Sequence, residues 1–212
     1  MTQKQNVEFA KRRLPDSIHK SANLEGISIT DAQTCDVLNN INVLTLKPNE
    51  IIKILCMQDA WLYILDHIND KIDLNYIKNI HSLVKRADLE YWERGRIRTE
   101  DVFISGTSWC PEMPDVEKLQ KELIEIMSIE GSVNKAISLM LWIMRNQIFK
   151  DGNKRVATIV ANKVLIENGC GILGVPTEFD NTFKQMLVNY YETNDDRNLK
   201  QFVYNNCLDF IN

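Results

Sequence analysis

The sequence predicts an all-α fold carrying one short β-hairpin flap, and three observations lead there. In most of the longer segments apolar residues recur every three or four positions, the spacing of a helix with one buried face. The breaks between these segments coincide with helix start and stop signals, Ser, Thr or Asp ahead and Gly or Pro behind. Only Arg96 to Cys110, RIRTEDVFISGTSWC, alternates instead, with β-branched residues around Gly106 and with Pro111 and Pro114 after it. That segment reads as a short hairpin or an extended flap.

Taken in order, residues 1–16 read as a flexible N-terminus ahead of a single helical domain over 17–212. Thr30 and Gln33 form a capping box, T-D-A-Q, that opens a helix through Val37. Pro48 suits a first helical turn and starts the segment NEIIKILCMQDAWLYILDHIND. A shorter helix is expected from Asp73 to Ala87. Asp115 is the expected N-cap of VEKLQKELIEIMSI, and Ser132 that of VNKAISLMLWIMRNQIF. Lys154 to Asn168 makes another helix, closed by Gly169, and two more follow near Phe179 to Thr193 and Asn198 to Phe210.

Composition narrows the function classes. The 212 residues suit one domain, with 44% hydrophobic and 25% charged residues, which is globular chemistry. Lys and Arg number 25 against 29 Asp and Glu, a net charge of −4 that argues against wrapping nucleic acid. The five cysteines, at 35, 56, 110, 170 and 207, form no CxxC pair, so a reducing compartment is expected rather than a disulfide framework or a zinc site. No apolar run is long enough to span a bilayer and no secretory signal opens the chain, so a cytoplasmic location away from membranes is expected. The oligomeric state stays open.

The chemistry concentrates in QIFKDGNKR, Gln147 to Arg155, between two strongly apolar helices. As a plain corner, Gly152 would supply backbone freedom, Asn153 would cap the next helix, and Lys154 and Arg155 would be solvated. Yet both cations fall in a first helical turn, where the macrodipole disfavours each by about 0.3–1 kcal/mol. A local conflict of this kind is expected at functional sites. An anion at that helix end turns the free amides, the dipole and both cations favourable together. Asp151, beside such phosphates, could hold a magnesium ion.

The segment resembles the signature of the Fic (Fido) family, His-Pro-Phe-x-(Asp/Glu)-Gly-Asn-Gly-Arg-x-x-Arg, at Phe149, Asp151, Gly152, Asn153 and Arg155. The resemblance implies a helical Fic fold and transfer of AMP from ATP to a hydroxyl side chain of a target protein. It implies that Phe149 anchors the loop, that Asp151 binds Mg2+, and that Asn153 and Arg155 with loop amides hold the ATP phosphates. Arg94 to Cys110 resembles the family's flap, which docks a target segment by strand addition; Arg96, Arg98, Ile104 and Trp109 are its candidate docking residues. Ile80-His81 matches a pair frequent in the family. Ser21, Glu25 and Gly26 in SANLEG resemble its (Ser/Thr)-x-x-x-Glu-(Gly/Asn) inhibitory motif. The likeness runs from about residue 17 to 208.

Three departures stand against the pattern. Gln147 occupies the place of the catalytic histidine, the general base, and an amide can orient a hydroxyl but not deprotonate it. Lys154 replaces the second glycine, giving the Asn-Lys-Arg run of the Doc branch, which transfers phosphate. Thr158 replaces the final arginine, which in the family pairs with the inhibitory glutamate, so Glu25 is expected to meet Lys154 or Arg155 instead. Glu25 also reads as plain helix surface. None of His19, His67 and His81 is expected to replace the base, and His81 reads as a hydrogen-bonded structural residue near the flap. The Arg94, Arg96 and Arg98 cluster reads also as a solvated edge, and Trp61, Trp92, Trp109 and Trp142 as packing residues. Three functions remain open: a nucleotide-binding protein with impaired AMP transfer, an active but atypical AMP or phosphate transferase, and a protein-interaction module.

Overall fold

The computed structural model describes residues 1–210; the last two positions of the expected domain, 211 and 212, lie outside the described residues. Ten α-helices dominate: α1 Gln3–Arg12, α2 Leu14–Leu24, α3 Asp31–Leu38, α4 Pro48–Asp66, α5 Leu74–Val84, α6 Val116–Met127, α7 Ser132–Asn146, α8 Asn153–Glu167, α9 Asp180–Thr193 and α10 Arg197–Asn206. Two strands, β1 Ile172–Leu173 and β2 Leu208–Asp209, pair antiparallel, with Ile172 opposite Asp209 and Leu173 opposite Leu208. Among the described residues no helix is long and apolar enough to cross a membrane, and all five cysteines are free.

The centre is α8. Every residue from Arg155 to Ile166 is buried, with α7 packed along it and α1, α4, α5 and β1 against its other faces. Ala157 and Ala161, both at 0% exposure, let neighbouring backbones approach closely. A helix apolar on one side only would not survive there; this one is buried all round, as its lack of a clean polar stripe requires. Its polar residues must therefore find partners inside the protein.

Several start signals act as read. Thr30 and Gln33 form a reciprocal capping box on α3. Asp73 Oδ1 accepts from the Tyr76 amide at 2.8 Å, and Asp115 Oδ1 from the Lys118 amide at 2.7 Å. Ser132 is a correction: it is the first residue of α7, and Gly131, at φ 79°, takes the cap position without a side-chain bond.

The flexible N-terminus is a second correction. Thr2 and Gln5 close a capping box on α1, and Phe9 and Ala10 join the core. The fully buried Asn6 holds Gly171 from both sides, donating to its carbonyl at 3.0 Å and accepting from its amide at 2.6 Å. One side chain thus satisfies a loop that no strand or helix could.

The flap runs extended without a ladder; the strand pair of the fold is β1–β2, at the other end of the sequence. Arg98 explains how the flap keeps its shape. Its amide donates to the Ile148 carbonyl at 3.0 Å. Its guanidinium donates to the carbonyls of Gln147 at 2.7 Å, Glu100 at 2.9 Å and Pro111 at 3.3 Å, and to that of Glu112. One buried cation with a rigid fork of donors replaces the missing ladder.

Candidate functional site

The loop from Gln147 to Gly152 joins α7 to α8, and its conformation follows from two left-handed residues. Gln147 ends α7 at φ 45°, and Gly152 precedes α8 at φ 83°. Phe149, at 0% exposure, pins the loop to the core and stacks on His81, ring centroids 3.9 Å apart. Asn153 is the first residue of α8, not its cap. Its side chain turns back into the loop, accepting from the Phe149 amide at 3.0 Å and donating to the Phe149 carbonyl at 2.7 Å. No side chain caps α8, so no capping bond satisfies its first-turn amides at the positive end of its dipole.

A cleft of about 540 Å³ opens at that helix end, a size suited to a small-molecule ligand. Its walls include Gln147, Asp151 and Lys154 from the loop and α8, Ile104 from the flap, Glu25 from the C-cap of α2, and Tyr191 from α9. The charges are dense. Glu25, with 15% of its side chain exposed, lies 3.2 Å from Arg155 Nε and 3.5 Å from Lys154 Nζ. The contact is charged but poorly aligned, since Glu25 Oε1 and Arg155 Nε are buried without a hydrogen bond. A carboxylate of the chain itself thus stands against both first-turn cations. Thr158 donates to the Lys154 carbonyl at 3.0 Å within its own helix.

Asp151 faces the cleft with 61% of its side chain exposed, and its Oδ2 takes Lys85 Nζ at 2.5 Å and Arg155 Nη2 at 3.5 Å. Desolvation pushes its carboxyl up, but the hydrogen bond and charge of Lys85, then Arg155, outweigh that and hold it at about 2. As a magnesium ligand it fits in a limited way: a hard, ionised oxygen donor with Oδ1 left over, outside the one grouping of three potential ligands among the described residues, Asp16, His19 and Asp31. The remaining ligands of an octahedral ion would come from phosphate oxygens and water.

His81 is consumed by structure. Its Nδ1 accepts from the Gly95 amide at 2.9 Å, so Nε2 carries the proton and donates to the Asp151 carbonyl at 3.1 Å. Burial first, then Lys85 and Arg155, pull the imidazole down to about 4. Gly95, at φ 69°, makes that bond possible: a Cβ there would fall 2.8 Å from the Lys78 carbonyl oxygen. Gln147 is equally committed, donating to the Met144 carbonyl at 2.6 Å and accepting from Asn153 at 3.0 Å. Burial pushes the Tyr191 hydroxyl up as well.

The structure therefore brings together Gln147, Phe149, Asp151, Gly152, Asn153, Lys154, Arg155 and Glu25, with Gly26 at φ 82° ending the turn after α2. Ser21 is buried in α2, where its carbonyl accepts from the Glu25 amide at 3.3 Å. The flap residues divide. Ile104 lines the cleft and Arg96 is exposed. Arg98 is a correction: at 4% exposure it is neither a solvated edge nor a docking residue, because backbone carbonyls use its donors. Trp109 packs, as its other reading expected, half-buried between Tyr191 and the Arg145 guanidinium and lining a separate cavity. Trp92, at 71% exposure, does not pack as expected. Lys154 is half-buried and Arg155 buried, so neither is plain surface.

Sequence reasoning missed Lys85 and Asp88, and the α9 wall of Lys184, Leu187, Val188 and Tyr191. The α9 residues do share one helical face by spacing, and Lys85 follows His81 by one turn; those were the available signals.

No curated protein sequence matches the chain. Residues 71–165 match the model of the Fic/DOC family. Among solved structures, Fic-1 (residues 134–508) from C. elegans superimposes with TM-score 0.79 at 19% identity, over 93% of this chain and 62% of that one. A Fic family protein from Desulfovibrio desulfuricans G20 gives TM-score 0.71 at 17% identity, over 96% and 62%. A Fic domain containing signaling protein from Bacteroides thetaiotaomicron VPI-5482 gives 0.68 at 17%, over 85% and 72%. The chain thus spans less than two thirds of the first of these relatives. It carries the Fic fold, with the Fic/DOC family match running from residue 71 to residue 165.

Proposed function

We propose that the chain binds a purine nucleoside triphosphate, ATP by resemblance, at the N-terminal end of α8, and that AMP transfer from it is impaired. One observation carries the reading: Lys154 and Arg155 converge on an uncapped helix end and hold the carboxylate of Glu25 there. Phosphates displacing Glu25 would gain both cations, the first-turn amides and the dipole. The Doc-like Lys154 fits the same task.

AMP transfer needs a hydroxyl oxygen to attack the α-phosphorus while pyrophosphate leaves, and the hydroxyl proton must go to a base. Gln147 has no proton affinity near neutral pH, and its amide is tied to Met144 and Asn153. His81 has spent its acceptor on Gly95. With water as acceptor, the rate falls by about 10²–10⁴ relative to a positioned base. Were Mg2+ bound, Asp151 is the residue that would hold it, and the ion would neutralise charge on the phosphates. Glu25 acts as a plug that nucleotide must displace, and the target protein would dock along the flap near Ile104 and Arg96.

Two measurements test this. ATP should raise the melting temperature of the wild type, and Arg155→Ala should abolish that rise; no shift in the wild type sinks nucleotide binding. ATP labelled at the α-phosphate should label neither the chain nor a partner efficiently, whereas Gln147→His should gain self-labelling. Equal labelling of both proteins would show that the base is not what is missing. A docking function favoured by Phe103, which projects from the flap at 86% exposure, predicts neither result.

A further inference from the structure

Resting on the nucleotide reading, a third cation, beside Lys154 and Arg155, has a role that the signature does not give it. Lys85, at the C-cap of α5, has only 4% of its side chain exposed. Its ammonium sits 2.5 Å from Asp151 Oδ2 and 2.6 Å from Asp88 Oδ2. Asp88 in turn faces Lys53 at 3.3 Å and Arg155 at 4.0 Å. The loop is built around this side chain. A Cβ at Gly152 would lie 3.0 Å from Lys85 Cδ and 3.3 Å from Cγ, so the missing side chain at 152 is what lets the lysine stem pass beneath the loop. From the preceding turn of the same helix, His81 grips the Asp151 carbonyl. One helix therefore holds Asp151 by its backbone and by its carboxylate.

The charge arithmetic gives this a consequence. Four cations, Lys53, Lys85, Lys154 and Arg155, stand against Asp88, Asp151 and Glu25 in one connected cluster. With Glu25 displaced, the balance of the cluster is four against two, or +2. A divalent ion entering there must share Asp151 with a fixed ammonium that it cannot expel cheaply from a buried site. We infer that Lys85 is a positioning residue that takes over the charge a metal ion would supply at Asp151, so that this site binds nucleoside triphosphates without requiring a divalent cation. Lys85 does not touch the phosphates; it neutralises Asp151 so that the carboxylate does not repel them.

The experiment is a titration of the full chain with ATP, in EDTA and in excess Mg2+, followed by calorimetry. The dissociation constants of the wild type should agree within about fivefold, the lower edge of ordinary coupling between two ligands. Lys85→Met keeps the stem under Gly152 but removes the charge; its metal-free affinity should fall and Mg2+ should restore it, widening the ratio beyond fivefold. A wild-type ratio above fivefold overturns the inference while leaving nucleotide binding intact. An unchanged ratio in Lys85→Met overturns the assignment to Lys85. If that variant does not fold, the wild-type ratio alone decides. No ATP binding by the wild type in either buffer overturns the nucleotide reading and this inference with it.

Discussion

The two ends of α8 bury polar side chains to opposite effect. Toward its C-terminal half, Asn162 donates to the Leu173 carbonyl at 2.8 Å and to the Thr158 carbonyl at 2.9 Å, and accepts from the Leu173 amide at 2.7 Å. Beside it Lys163 donates to the Asp70 carbonyl at 2.6 Å and to Glu167 at 2.8 Å. Each of those groups is buried and answered. At the N-terminal end, Arg155 and Glu25 are as close as an ion pair yet leave Nε and Oε1 without a hydrogen bond. A buried polar cluster with every bond made fixes a fold; one left incomplete calls for an explanation, and the proposed ligand would supply it at this end.

The sharpest way to break this contrast is at the answered end. Asn162→Leu keeps the volume but strands the amide and carbonyl of Leu173 in β1. Two buried backbone groups at about 1–3 kcal/mol each predict a loss of roughly 4 kcal/mol. Urea unfolding should show it, and no added phosphate or nucleotide should recover it. A loss below about 1 kcal/mol would mean that the two ends do not differ in kind.

His81 sharpens the comparison through pH, because it is an answered group within the unanswered end. Its folded value, about 4, lies below the ordinary value of 6.5. The unfolded chain therefore binds the proton first as pH falls. The contribution of the neutral ring is complete above pH 6.5 and is lost as pH drops toward 4. Two and a half units correspond to about 3 kcal/mol at most. Asp151, held at about 2, stays ionised throughout that window. Comparing unfolding of wild type and His81→Gln between pH 7 and pH 4.5 isolates the effect: the wild type should lose more stability on acidification. Parallel curves would mean that the ring does not stay neutral.

How much of this could be read beforehand depended on whether the cause was local. The cations at Lys154 and Arg155 sit at the wrong end of a helix, a conflict visible in nine residues, and the structure puts Glu25 against both. Caps at Thr30 and Asp115 are likewise set by neighbours three residues away. What escaped was decided at long range. Residues 1–16 carry few apolar positions, so α1 looks weak in isolation; Asn6 reaches across 165 positions to Gly171 to hold it. Arg98 resembled surface because charge usually is, and only the fold reveals the carbonyls around it. Lys85 looked unremarkable for the same reason, with Asp151 lying 66 residues away.

The smallest expected effect is at the unanswered end, and its sign is the informative part. In Glu25→Ala, Arg155 keeps Asp151 at 3.5 Å and Asp88 at 4.0 Å, while Lys154 is free to reach water. Without ligand the variant should lose only about 1 kcal/mol, since the lost contact is charged but badly aligned. Added anions should then more than repay it. Millimolar ATP or inorganic phosphate should raise the melting temperature of Glu25→Ala further than that of the wild type, which must first expel its own carboxylate. A tenfold gain in affinity is worth about 1.4 kcal/mol, or roughly 3–6 °C for a domain of this size. Asn162→Leu under the same additions should show no gain over the wild type. If Glu25→Ala gains no more than the wild type, the carboxylate does not occupy the anion site, and the two ends of α8 differ in hydrogen bonding alone.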